Sequence, residues 1–438
     1  MTLTTPITVV RGRFLDIQKT VSQAQDIIDQ VRYIEDGVLI AKQGQIRWFG
    51  SWDDAQAHLP ANVEIQHYPE QLIIPGMIDT HIHFPQTEMV GAYGEQLLSW
   101  LNTYTFPTEI QFQDPSYAQK IAEFFIQELL KNGTTTALVF CTVHPESVDA
   151  LFEAAAQQQM RLIAGKVMMD RHAPEALCDT AESAYEDSKA LIGKWHGQGR
   201  ALYAITPRFA PTSTPEQLER AGQLKAEFPD VYVHTHLSEN KDEIAWVKDL
   251  FPEQKGYLDV YHHYGLTGNR SVFAHCVHLE DQEWQCMHET DSTIAFCPTS
   301  NLFLGSGLFP LKKTWQQQVK VGLGTDIGAG TSFSLLQTVN EAYKVQQLQG
   351  DKLSAFESLY HATLGGAKAL DLDDKLGNFN VGKEADFVVL NLKPTALQQL
   401  RQSRSKSIED SLFALFTMGD DRNIEATYIY GQKAYSQS

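Results

Sequence analysis

Short apolar runs recur through the middle of the chain, and stretches of helical length separate them. The runs cover 72–83, 134–140, 162–170, 201–209, 231–236, 271–275, 293–297 and 321–326. Their brevity and β-branched content suit strands buried on both faces, as parallel strands are. The intervening segments carry helix signals. Asp114-Pro115 precedes a stretch reaching Leu130, and Gly133 follows as a stop. Thr214-Pro215-Glu216-Gln217 places a capping Thr, a Pro at the first helical position and Gln at the box position. Ser354 and Glu357 repeat the capping box ahead of a helix over 359–370. Strand and helix alternating eight times predict an α/β fold, a (β/α)8 TIM-like barrel. A doubly wound sheet is the competitor, disfavoured because no G-x-G-x-x-G turn follows the first strand.

The texture changes towards both termini. Segments 37–42 and 44–50 alternate apolar and polar residues between glycines, and 382–391 and 427–434 do the same. One small β-sandwich domain built from both chain ends accounts for this. The expected division is 1–70 for the N-terminal part of the sandwich, 71–372 for the barrel and 373–438 for the C-terminal part. The polar stretch 398–406 reads as a solvated helix or loop.

Composition narrows the function. The chain has 438 residues, 43% of them apolar and 20% charged, which excludes a disordered protein. Its formal charge of −19 opposes nucleic acid or an anionic membrane as partner and favours a neutral or cationic small molecule. No apolar run reaches the length of a membrane span. Residues 1–10 lack the basic-then-apolar pattern of a secretory signal. Five scattered cysteines without a CxxC pair read as reduced thiols, so the expected location is cytoplasmic.

Barrel chemistry sits at the C-terminal strand ends. Those ends carry His81 and His83, then Arg208, His236, His275 and Asp326. The alternation of a strand turns His81 and His83 to the same side, and neutral imidazoles there suit Zn²⁺, with His236 and Asp326 completing the set. In His234-Thr235-His236, His234 lies a layer deeper and reads as a hydrogen-bonded core residue. Glu239, three residues past His236, is placed to shuttle protons; its bland alternative is a helix N-terminal glutamate. His275 either ligates the metal or bonds the water on it, and Asp326 is either a ligand and base or a turn residue. His278 and Cys276 read as structural. Arg208 and Phe209 offer a fork for a carbonyl oxygen and a face for stacking, against a surface salt bridge and barrel packing. His144-Pro145-Glu146 matches half of a small zinc-deaminase signature, but no P-C-x-x-C follows, so His144 reads as the start of a helix over 145–160.

Pro75-Gly-Met-Ile-Asp-Thr-His-Ile-His83 and Gly382-Lys-Glu-Ala-Asp386 resemble signatures of the metal-dependent amidohydrolase superfamily. Phe84-Pro-Gln-Thr-Glu-Met, Tyr93-Gly-Glu-Gln-Leu-Leu-Ser-Trp-Leu101 and Thr105-Phe-Pro-Thr-Glu109 resemble its barrel-type guanine deaminases more specifically. Thr206-Pro-Arg-Phe209, His236-Leu-Ser-Glu-Asn240 and Gly324-Thr-Asp326 agree with that resemblance. Two-metal barrels of this type carry a carboxylated Lys at the fourth strand; Arg208 stands there instead, which implies a single ion.

The resemblance implies one zinc per subunit, with iron as the alternative, on His81, His83, His236 and Asp326, and His275 on or beside it. It implies that His83, Phe84, Pro85, Gln86, Arg208, Phe209, His236, Glu239 and Asp326 contact the purine. Glu239, Asp326 and His275 would be catalytic, guanine the substrate, xanthine and ammonia the products, and the assembly a homodimer. The rival readings are an aminohydrolase of a related heterocycle (oxidised guanine, pterin or triazine) and an inactive scaffold of the same fold.

Overall fold

The computed structural model describes residues 7–93 and 97–437. Residues 1–6, part of the stretch 1–10 read for a signal, and Gly94, Glu95 and Gln96, within one family-like motif, lie outside them. Near the N-terminus run β1 (Ile7–Ile17), β2 (Val31–Lys42), β3 (Gln45–Ser51) and β4 (Ile65–Pro75). The middle supplies β5 (Met77–His83), β6 (Thr134–Phe140), β7 (Arg161–Gly165), the short β8 (Val167–Met168) and β9 (Ala201–Pro207). It continues with β10 (Tyr232–Leu237), β11 (Ser271–His275), β12 (Thr293–Phe296) and β13 (Lys320–Leu323). Then β14 (Phe387–Leu390), β15 (Ile424–Ile429) and β16 (Gln432–Ser436) close the chain.

The middle strands pair in parallel from β5 through β13, with β8 set against β9. Contacts between the first and last strands bring the sheet round. Thr80 Oγ1 donates to Leu323 O at 3.0 Å, and Asp326 N donates to His81 O at 2.9 Å. Glycine makes that seam possible: a β-carbon on Gly324 would stand 2.9 Å from His81 Cβ and 2.8 Å from Cys297 Sγ. The result is the expected barrel.

Strands from the two termini share a second sheet in the order β16-β15-β14-β4-β1-β2-β3. It folds over itself, so Phe14, Leu39 and Ile46 enclose one core with Phe387, Val389 and Tyr428, as a sandwich does. The edge strand β3 meets the segment leading into β14 where Ile46 N donates to Lys383 O.

Two sequence expectations need correction. The apolar run 72–83 is two strands in two sheets, because Gly76 sends the chain from one to the other. Its N–H bonds Asp386 O, and a β-carbon there would collide with Thr135 Oγ1 at 2.0 Å. The helix over 359–370 is likewise two, Ala355–Ala362 and Leu364–Ala369, broken at Thr363 with φ −128° and ψ −94°. The break lets Gly366 pack on Ile78 of β5. The helices Pro115–Lys131 and Pro215–Glu227 start on Asp114 and Thr214 as their caps dictate. His144 starts Pro145–Gln157. Among the described residues no helix is long and apolar enough to cross a membrane.

Candidate active site

Strand alternation and three unusual backbone turns bring the strand-end residues together. His81 and His83 lie side by side on β5 and both are buried. Ser238, His275 and Asp326 take φ of 49°, 71° and 53°, the left-handed region where non-glycine residues store strain, so the chain bends sharply just past three strands. Those bends aim Glu239, His275 and Asp326 at the histidines of β5 and β10. Asp79 fixes the geometry from below: it accepts from His81 N and Thr325 N, each at 3.1 Å, and from Thr325 Oγ1.

The imidazoles converge through their Nε2 atoms. His81 and His83 Nε2 stand 3.1 and 3.3 Å from Asp326 Oδ1, and His275 Nε2 is 3.9 Å from Asp326 Oδ2. His83 and His236 Nε2 face each other at 3.2 Å. On three of the four rings the opposite nitrogen is tied down, while His83 Nδ1 is buried without a partner. His236 Nδ1 donates to Arg208 O at 2.7 Å, His275 Nδ1 bonds Asn301 Oδ1 at 2.9 Å, and His81 Nδ1 bonds His234 Nε2 at 2.8 Å. His234 is thus the buried support the sequence suggested.

This arrangement fits a cation. With its Nδ1 proton spent on Arg208 O, His236 presents a lone pair towards His83 and His81. Burial disfavours a proton there, lowering His81 and His236 and taking His83 down to about 3. Burial alone would raise Asp326, but its contacts with His81 and His83 hold it well below the carboxylate range. Facing lone pairs around a carboxylate repel unless an electrophile sits among them. The possible ligand atoms of His81, His83 and His236 lie within 4.8 Å of one another, as do those of His81, His275 and Asp326.

A pocket opens on this cluster, lined by His83, Gln86, Arg208, Phe209, His236, Glu239, His275 and Asp326 together with Trp100 and Leu304. Glu239 immediately precedes Asn240, the cap of the helix Lys241–Leu250, so the helix-terminal and site readings of this residue coincide. Its Oε2 is 3.5 Å from His275 Nε2, and Ser306 Oγ donates to its Oε1 at 2.9 Å. Burial, aided by Asp326, pushes the carboxyl up to about 8, which suits it to carry a proton to and from a substrate. Phe84 and Pro85 lie off the pocket wall. The Phe84 ring packs on Phe112 and Phe125, and the turn Phe84–Met89 carries Gln86 to the wall. His278 and Cys276 are bonded away from the site, to Ser306 O and Phe273 O.

Arg208 departs from its bland reading: its salt bridge is buried. Its Nη1 donates to both oxygens of Glu109 at 2.9 and 2.8 Å, and Gln86 Nε2 donates to Glu109 Oε1 at 3.2 Å. Glu109 therefore sets two pocket residues at once, a role invisible in the sequence beyond its place in a family-like motif. Asn301, Ser306 and Glu243 were also missed; Glu243 accepts from the N–H groups of Glu239 and Asn240.

The description of the amidohydrolase family matches residues 72–434. The chain belongs to the amidohydrolase family. This family is metal-dependent, in keeping with the His/Asp cluster. Among relatives of this amidohydrolase, the guanine deaminase of Escherichia coli (strain K12) is 62% identical over 98% of each chain. A solved structure of E. coli guanine deaminase covers 99% of this chain and all of its own, with TM-score 0.96 and 60% identity. Guanine deaminase from C. acetobutylicum, solved with guanine in its active site, covers 98% of this chain and all of its own, with TM-score 0.88 and 31% identity.

The Glu109 contacts carry a prediction. Glu109→Gln leaves the Arg208 guanidinium buried without a counter-charge, at a cost of about 3–5 kcal/mol. Thermal unfolding should shift to clearly lower temperature, and an unchanged transition would remove the ion pair from the account.

Proposed function

We infer that this amidohydrolase hydrolyses guanine to xanthine and ammonia. The observation that carries this is the juxtaposition, in one pocket, of the histidine–Asp326 cluster with Arg208 and Gln86 held by a common buried carboxylate. The identity with guanine deaminases along nearly the whole chain supports the same substrate.

We assign one zinc ion per subunit to His81, His83, His236 and Asp326, with His275 completing the set on the side of Glu239. When bound, the cation supplies Lewis-acid chemistry that makes water nucleophilic near neutral pH. The protein's own groups do the rest. Arg208 and Gln86 orient the purine so that C2 faces the cluster, the guanidinium donating to the guanine carbonyl. Asp326 accepts a proton from the attacking water as the C–O bond forms at C2. Glu239 delivers its proton to N3, takes up the proton of the hydroxyl now on C2 and hands it to the amino group; the C–N bond breaks, the C2 carbonyl forms, ammonia leaves, and the proton held by Asp326 restores Glu239. Phe209 and Trp100 bound the ring and exclude water. Adenine carries an amino group where guanine has its carbonyl, so Arg208 would face a donor and the ring would be rejected.

Ammonia release measured across guanine, adenine, a pterin and a triazine tests the substrate. Guanine should be turned over well ahead of the others, and ready turnover of a triazine with none of guanine would overturn the reading. His83→Ala should lower zinc content, read by elemental analysis, while an undiminished stoichiometry would remove His83 from the ligand set.

We further propose a cytoplasmic homodimer. The five unpaired cysteines support the compartment, and the likeness to guanine deaminases supports the dimer.

A further inference from the structure

A second cavity, of about 150 Å³, lies at the other end of the barrel, where β13 begins at Lys320. Asp326 and the site described above lie beyond the opposite end of that strand. The cavity is walled by Trp315, Tyr360, His361, Lys320, Lys368 and Ser22 among others, and among the described residues no carboxylate lines it.

Two of these side chains have unmet bonding capacity. His361 is 2% exposed, yet neither ring nitrogen makes a hydrogen bond. Its nearest carboxylate oxygen, Glu357 Oε1, is 3.9 Å away and already accepts from Trp315 Nε1 at 2.9 Å. Buried polar groups are rarely left this way. Lys368 Nζ reaches only Val21 O, at 3.4 Å, and burial lowers its pKa from the ordinary lysine value. Lys320 adds a second ammonium to the wall, although Asp291 balances it at 3.0 Å. Asp373 and Asp291 act on Lys368 from outside the wall, and the wall itself presents two ammoniums with no carboxylate among the described residues, a lining that favours an anion.

Shape narrows the class. The Trp315 ring packs 5.8 Å from that of Tyr360 and 5.6 Å from that of His361, giving the recess an aromatic wall. A volume of this order accommodates one six-membered ring. We propose that the cavity is a second ligand site for a single-ring carboxylate, its ring against Trp315 and Tyr360 and its carboxylate accepting from Lys368 and His361.

The test titrates benzoate into the metal-loaded full chain by calorimetry, with benzamide as the neutral control and guanine turnover followed in parallel. Saturable one-to-one binding, absent for benzamide and weakened at least tenfold by Lys368→Met, is expected, without competitive inhibition of guanine. A crystal soaked in benzoate should show the ring beside Trp315, and His361→Phe should also weaken binding if Lys368→Met fails to fold. Absence of saturation, ordered water alone in the cavity, binding untouched by both variants, or competition with guanine would each overturn the proposal. The readout is binding, so it stands or fails independently of the deaminase reading.

Discussion

Glu239→Gln abolishes guanine turnover while the metal content stays unchanged. The substitution keeps the shape of the side chain and leaves Ser306 Oγ, 2.9 Å from Oε1, able to bond it. What it removes is the exchangeable proton of the carboxyl that stands 3.5 Å from His275 Nε2 and faces the pocket. A positioned acid–base group contributes about 10²–10⁴-fold, and here one group serves both N3 and the departing amine, so the fall should reach the upper part of that range. Guanine affinity should change little, since Arg208 and Gln86 are untouched. Steady-state kinetics with elemental analysis check this. A variant retaining a tenth of the parent rate would take Glu239 out of the chemistry.

Asp326→Asn is expected to be nearly as damaging, for a different reason. Asparagine tolerates the left-handed backbone at φ 53°, so the turn survives and Asp326 N can still donate to His81 O. The carboxylate charge facing His81, His83 and His275 is lost, along with the acceptor for the water proton. Activity should drop by roughly 10³-fold, with reduced cation occupancy, because both charge balance and base are removed. Normal zinc content with normal turnover would show that Asp326 merely shapes the loop.

Much of this site was legible because local rules governed it. The H-x-H pair follows from strand alternation, and His236, Glu239 and Asp326 follow from counting to strand ends in a barrel. Glu109 escaped because its contacts are set by tertiary structure. It ends the short helical turn Phe106–Glu109, just before Ile110–Gln113, and meets Arg208 from 99 positions away. Asn301 and Ser306 escaped similarly: both lie on the segment following β12, where no residue pattern announces that they would meet His275 and Glu239. The apolar run 72–83 misled because hydrophobicity is continuous across Gly76 while the backbone changes sheets there. At Thr363 the break brings Gly366 onto β5, and the Gly365-Gly366 pair just past it, which weakens the helix and allows the close approach to Tyr360, was the local signal passed over.

The account rests on a cation-dependent cluster acting on an amino-purine whose carbonyl Arg208 can recognise. The most direct test follows guanine and adenine by ultraviolet absorbance on chelated protein and again after zinc is restored. No turnover is expected without metal, and guanine-to-xanthine conversion should recover with one zinc per chain while adenine stays inert. Full activity in the stripped protein, or restored activity on adenine instead of guanine, would contradict it.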